Sequence, residues 1–185
     1  MRMNLLLVDD EPYVLESLRR LLADEPYVIH TACGAEDGLA LCSEHPMGVV
    51  LSDERMPGMS GAEFLSVVRE RFPGAVRILL TGHASVESAM RAVNDGGIYR
   101  FLTKPWDDLD LILALRSGFE KYTLEEQNRR LLAAVRTHLR TLKAIEHRHP
   151  GITTMHRDES GAFILPDITD EELAAEIERC NTPDR

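Results

Sequence analysis

Residues 51–61 read LSDERMPGMSG. The apolar pair Val49-Val50 runs straight into Leu51, Ser52 and Asp53, and a Met-Pro-Gly turn follows at Met56 to Gly58. A short apolar run bounded by a turn reads as a strand buried on both faces. Aspartate is common at strand ends and helix caps, so Asp53 alone carries little weight. What decides its meaning is the set of residues at the ends of the other strands.

Working outward, Met3 to Val8 is a continuous apolar run that reads as a first buried strand, and Tyr27 to Ala32 reads as a second. Val49 to Leu51, Val76 to Leu80 and Ile98 to Leu102 complete a set of five. Helical spacing separates them. Residues 12–24 place Val14, Leu15, Leu18, Leu21 and Leu22 on one face behind Pro12, which suits a first turn. Further helices are expected over 35–44, 61–71 and 85–95, the last stopped by Gly96-Gly97. Strands alternating with helices predict an α/β fold with a parallel sheet covered on both sides. In such sheets chemistry gathers beyond the carboxyl ends of the strands, where the strand order reverses.

At those ends stand Asp9, Asp10 and Glu11 after the first strand and Asp53 after the third. Thr81-Gly82 follow the fourth, and Thr103, Lys104 and Pro105 follow the fifth. Clustered carboxylates repel one another and need a cation or a proton. Oxygen ligands without His or Cys suit Mg2+, which keeps positions open for water and phosphate oxygens. A lysine adds a compact positive charge and a threonine a hydroxyl donor. Together these suit a phosphoryl group placed on, or removed from, one aspartate. Taken singly, Asp10 reads equally well as a helix cap, Thr81-Gly82 as a turn and Lys104 as a solvated strand end. Their coincidence at one sheet edge carries the inference.

The stretches VDDE at 8–11, SDERMPGMSG at 52–61, LLTGHA at 79–84 and RFLTKPW at 100–106 resemble the receiver domain of two-component response regulators. Their wording is similar to receivers found ahead of HD-GYP phosphodiesterase domains or transcription activators. The resemblance implies a flavodoxin-like five-stranded parallel sheet of order 2-1-3-4-5; the general rule for ligand sites in this topology uses a receiver as one of its own examples. It implies that Asp53 is the phosphoacceptor and that Asp9, Asp10, Asp53 and the backbone carbonyl of Arg55 hold Mg2+. Thr81 and Lys104 would contact the phosphoryl oxygens, and a cis peptide is expected between Lys104 and Pro105. Phe101, with Thr81, falls at the switch positions. Arg55 and His83 fall where side chains border the path of the attacking water and would modulate the lifetime of the phosphoryl group; both read equally well as solvated side chains.

The resemblance covers residues 1–122. Residues 107–146 contain no proline and a single glycine, Gly118. With d positions at Leu124, Leu131, His138 and Ile145 and a positions at Asn128, Val135 and Leu142, residues 123–148 read as a helical extension with heptad spacing. A homodimer through it is expected. A helical hairpin packed back on the chain is the other reading of so broad a stripe. Residues 149–185 form a small C-terminal α+β piece. It has a hairpin candidate around Asp158 to Gly161 and a capping box, Thr169 with Glu172, before a short helix over 171–179.

The chain has 185 residues, 44% hydrophobic and 28% charged, with a net charge of −10. That supports one domain with a real core and an extension. The acidic balance argues against nucleic acid or anionic lipid bound by bulk charge. Cys33, Cys42 and Cys180 lack metal-ligand spacing and fit a reducing cytoplasm. The apolar run at 3–8 is too short for a signal peptide, and no stretch has the length of a membrane span. The residues lack the patterns of an output enzyme. The expected function is a cytoplasmic response regulator, phosphorylated by a histidine kinase or histidine phosphotransfer protein and acting on a downstream protein. It is not an enzyme beyond phosphoryl transfer at Asp53. The rivals are a DNA-binding regulator with a short cryptic effector and an autonomous phosphate sink.

Overall fold

The computed structural model describes residues 3–82 and 97–148, and the backbone of 156–157 and 163–164. The helix expected over 85–95, His83, Cys180 and the capping box before 171–179 lie outside the described residues. Five strands form one parallel sheet: β1 (Asn4–Val8), β2 (Val28–Ala32), β3 (Val49–Asp53), β4 (Val76–Gly82) and β5 (Arg100–Lys104), in the order β2-β1-β3-β4-β5. The strand order and the five-stranded flavodoxin-like sheet are those expected.

Side-chain alternation along each strand builds two cores. Leu5, Leu7, Val49, Leu51, Ile78 and Leu80 face one side, where they meet Leu15 and Leu18 of α1 (Pro12–Leu21) and Leu111, Leu115 and Phe119 of the long helix Asp108–Arg148. Leu6, Val8, Val50 and Leu79 face the other side. They meet Cys42 of α2 (Ala35–Glu44) and Phe64, Leu65 and Val68 of α3 (Gly61–Arg71). Helices on both faces leave β1, β3 and β4 with apolar neighbours above and below, which is why Leu5–Val8, Val49–Leu51 and Ile78–Leu80 are apolar on both faces.

The strands run further than the apolar pattern does. β3 continues through Ser52 to Asp53, β4 through Thr81 to Gly82 and β5 to Lys104. The polar residues at the carboxyl edge are therefore held by ladder pairing: Leu80 opposes Asp53, Thr103 opposes Thr81 and Lys104 opposes Gly82.

The chain divides into two compact units, residues 1–131 and 132–185. Within the first, the long helix is tied to the sheet's amino-terminal edge. The Phe119 ring stacks on Tyr27 at 4.6 Å, Arg116 Nη2 pairs with Glu25 at 2.7 Å, and the Arg129 guanidinium lies over Gly74. In the second, the helix continues to Arg148, and His156–Arg157 pairs antiparallel with Phe163–Ile164, the two arms of the expected hairpin.

Candidate functional site: an acid cluster at the carboxyl edge

β1 lies between β2 and β3, so the connections leaving β1 and β3 pass to opposite faces and a crevice opens at their carboxyl ends. The residues bordering it are polar yet inaccessible: Asp9, Asp53 and Thr81 are all buried. A buried carboxylate needs compensation, and each of these two has it. Asp9 Oδ1 accepts the Glu11 backbone N–H at 2.9 Å, and Asp53 Oδ2 accepts that of Arg55 at 2.7 Å. Their remaining oxygens share one cation. Lys104 Nζ lies 2.8 Å from Asp9 Oδ2 and 2.5 Å from Asp53 Oδ1. Burial pulls the Lys104 ammonium toward its neutral form. The hydrogen bonds and charges of Asp53 and Asp9 outweigh that and leave its pKa raised. The bond between Lys104 and Pro105 is cis.

The loop after β3 presents Asp53 without covering it. Gly58 takes a positive φ of 83°, which turns the chain sharply. The Gly61 N–H then donates to the Glu54 carbonyl at 2.9 Å and brings the start of α3 against the end of β3. A Cβ at Gly61 would sit 1.9 Å from the Asp53 carbonyl oxygen, a distance only glycine tolerates. Ser60 and Glu63 close the helix with a reciprocal capping box. Glu54, beside the acceptor, has its carboxyl pushed up by burial, with Asp53 and Glu63 adding to the effect.

The structure therefore brings Asp9, Asp53 and Lys104 into direct contact and places buried Thr81 at the same edge. Asp10 is half-buried, without a hydrogen-bonding or ionic partner among the described residues. Arg55 is exposed, its guanidinium reaching over Gly82, while Phe101 packs half-buried against the second core. Among the described residues, no three His, Cys, Asp or Glu side chains converge on one metal position. The acids that line the edge are nevertheless an all-oxygen donor set suited to a hard cation, with Lys104 now supplying the charge between two of them. Sequence reading overlooked Glu54, Gly61 and the Ser60–Glu63 box. The box was open to it as an S-x-x-E pattern directly ahead of an apolar helix.

Known proteins bear on this arrangement. A model of the response regulator receiver domain matches residues 5–116. The hydrogenase transcriptional regulatory protein HoxA of Cupriavidus necator is 40% identical over 134 residues, which make up 72% of this chain and 28% of HoxA. The chain thus spans little more than a quarter of that relative. Among solved structures, an adenylate cyclase from Rhodopirellula baltica is 34% identical with a TM-score of 0.69, covering 72% of this chain and 98% of that one. The signal receiver domain of an HD domain-containing protein from Pseudomonas fluorescens is 38% identical with a TM-score of 0.65, covering 68% and 93%.

Proposed function

The chain belongs to the response regulator receiver family, and from that premise we propose that it is a phosphorylation-dependent regulator in two-component signalling whose output is contact with another protein. The observation that carries this reading is the single ammonium of Lys104 bridging Asp9 and Asp53 at the crevice where the strand order reverses. In the reaction, a carboxylate oxygen of Asp53 attacks the phosphorus of a phosphohistidine on a histidine kinase or phosphotransfer protein. The P–N bond to the donor breaks, its electron pair stays on the imidazole nitrogen, and an acyl phosphate forms on Asp53. Lys104 follows the developing negative charge on one phosphoryl oxygen, and the Thr81 hydroxyl donates to another. Asp9, Asp10, Asp53 and the Arg55 carbonyl would hold Mg2+, which neutralises charge on the acids and the phosphoryl group. Arg55 and His83 would tune how readily water reaches the acyl phosphate. Thr81 and Phe101 would carry the change to the face that ends in the long helix.

The test is metal dependence. Acetyl phosphate is expected to label the protein with Mg2+ and not after chelation. Asp10→Asn is expected to raise the Mg2+ concentration needed for half-maximal labelling by an order of magnitude or more, while leaving the fold intact because like-charge repulsion at the edge falls. An unchanged titration would reduce Asp10 to a helix cap.

Self-association belongs to the same reading. Leu124, Leu131, Val135 and Leu142 are exposed on the long helix. Burying one leucine contributes about 1.5–3 kcal/mol, so several together offset the cost of association, of order 4–15 kcal/mol. The protein is expected to be a homodimer through residues 120–146. Leu131→Asp with Leu142→Asp is expected to give a monomer that still takes up phosphate. Light scattering across protein concentration reads both, and a wild type that stays monomeric into the high micromolar range refutes the dimer alone.

A second reading follows from the printed name of HoxA, a transcriptional regulatory protein. In that reading the receiver controls a DNA-binding function. Salt-sensitive retention of the chain on DNA would support it, and the net charge of −10 counts against it. No helix among the described residues is long and apolar enough to cross a membrane. The cytoplasmic location belongs to the proposal through the phosphodonor, a histidine kinase or phosphotransfer protein.

A further inference from the structure

A cavity of about 650 Å3 opens at the amino-terminal edge of the sheet, at the other end of the strands from the acid cluster. It lies within the first compact unit, where the ends of α2 and α3 meet the long helix. That volume is typical of a site for a small organic ligand. The walls divide by chemistry. Val28, Met47, Phe72 and Tyr122 supply apolar and flat surface. His30 and His45, whose rings lie 4.7 Å apart at a tilt of 31°, add two more planes.

The side formed by the long helix is charged. Glu126 is the one acid lining the cavity among the described residues, and two guanidiniums share it. Arg129 Nη2 lies 2.7 Å from Glu126 Oε2, and Arg130 Nε lies 2.8 Å from Oε1. The two arginines hold the Glu126 carboxyl below its usual pKa, so it is ionised at neutral pH. Burial, with His45 beside it, holds the His30 imidazole below its usual pKa, so that ring adds no charge there. Two guanidiniums against one carboxylate leave a surplus of one positive charge. Arg129 Nη1 and both terminal nitrogens of Arg130 have no partner among the described residues. The Arg129 guanidinium is seated over Gly74, which fixes where its fork stands.

A carboxylate balances that surplus and matches the fork of a guanidinium with paired N–H bonds. A phosphate monoester carries about −1.5 to −2 at neutral pH. It would overshoot the surplus beside Glu126, on a chain whose net charge is −10. The flat walls suit an aromatic ring, which gains from offset or edge-on contact with other rings. We propose that this cavity binds a small planar aromatic monocarboxylate, its ring among Phe72, Tyr122 and His45 and its carboxylate on Arg129 and Arg130. No residue of the acid cluster lines the cavity, so the site stands apart from phosphoryl transfer. Arg129 and Arg130 belong to the long helix and Phe72 to the end of α3. A bound ligand therefore ties the helix to the receiver's amino-terminal edge and stabilises the folded chain by mass action.

The test is calorimetric titration of the full chain with naphthoate, with naphthamide as the neutral isostere and naphthyl phosphate as the more highly charged one. Naphthoate is expected to bind saturably, at least tenfold more tightly than either. Arg129→Gln with Arg130→Gln is expected to weaken naphthoate at least tenfold while its thermal unfolding without ligand matches wild type. Arg130→Gln alone, at an exposed side chain, is expected to weaken it in the same direction by a smaller factor. Absence of saturable binding into the low millimolar range overturns the site. Equal binding of naphthamide overturns the anion assignment, and tighter binding of naphthyl phosphate overturns the carboxylate. Naphthoate binding that neither variant changes overturns the placement on Arg129 and Arg130.

Discussion

Gly61→Ala is expected to destabilise the protein by about 3 kcal/mol or more, an exceptional effect for the addition of one methyl group. The ideal Cβ meets the Asp53 carbonyl oxygen at 1.9 Å, the Asp53 carbonyl carbon at 2.8 Å and the Glu54 Cα at 3.0 Å. All three are backbone atoms, so no side chain can swing aside. Relief requires that α3 withdraw from the end of β3, which breaks the Gly61-to-Glu54 hydrogen bond and moves the residue that carries the acceptor carboxylate. Thermal unfolding is expected to fall by roughly 10 °C, a conversion between the about 4–8 °C per kcal/mol of a 60–100-residue domain and the about 2–4 °C of a 150–250-residue one. Uptake of phosphate should fall with it. Gly34→Ser is the control: Gly34 has open space around its Cβ position and caps α2, where serine is well tolerated. If Gly61→Ala melts with wild type, the close approach of α3 to the phosphoacceptor strand is not a feature of the folded protein.

Gly61 also marks where sequence reading stopped. The predominantly apolar runs at 3–8, 49–51 and 76–80, interrupted only by Asn4 and Arg77, revealed the central strands because both faces of each are covered. The same signal ended too soon at Leu51, Leu80 and Leu102. The residues that follow are polar because they face a crevice, though they remain paired in the ladder. Asp9, Asp53, Thr81 and Lys104 were legible as a set because topology brings every carboxyl end of a parallel sheet to one edge. Their pairing through one ammonium was not, since it depends on register between β1, β3 and β5 and on the length of one lysine side chain. Gly61 was illegible for a similar reason: its need for glycine arises from an approach of two backbones across a loop, and no local pattern encodes that. The heptad spacing of the tail was visible in sequence.

The largest functional effect is expected from Asp53→Asn, which should remove acyl phosphate formation altogether. The reaction needs a carboxylate oxygen with a free electron pair to form the new P–O bond as the bond to the donor breaks, and an amide at this position is no such nucleophile. The substitution also removes one of the two charges that Lys104 bridges, so the remaining Lys104–Asp9 pair, at 2.8 Å, keeps the edge closed and the fold intact. Asp9 and Asp10 remain in the variant and serve as the internal comparison, because a cluster that merely collects phosphate nonspecifically would still react through them. The decisive measurement is the intact mass of wild type and Asp53→Asn after incubation with acetyl phosphate and Mg2+, with the modified peptide mapped. Wild type is expected to gain one hydroxylamine-sensitive phosphoryl group on the peptide that contains Asp53, and Asp53→Asn none. A phosphoryl group that survives the substitution, or that maps to Asp9 or Asp10 in wild type, would contradict the assignment of Asp53 as the acceptor.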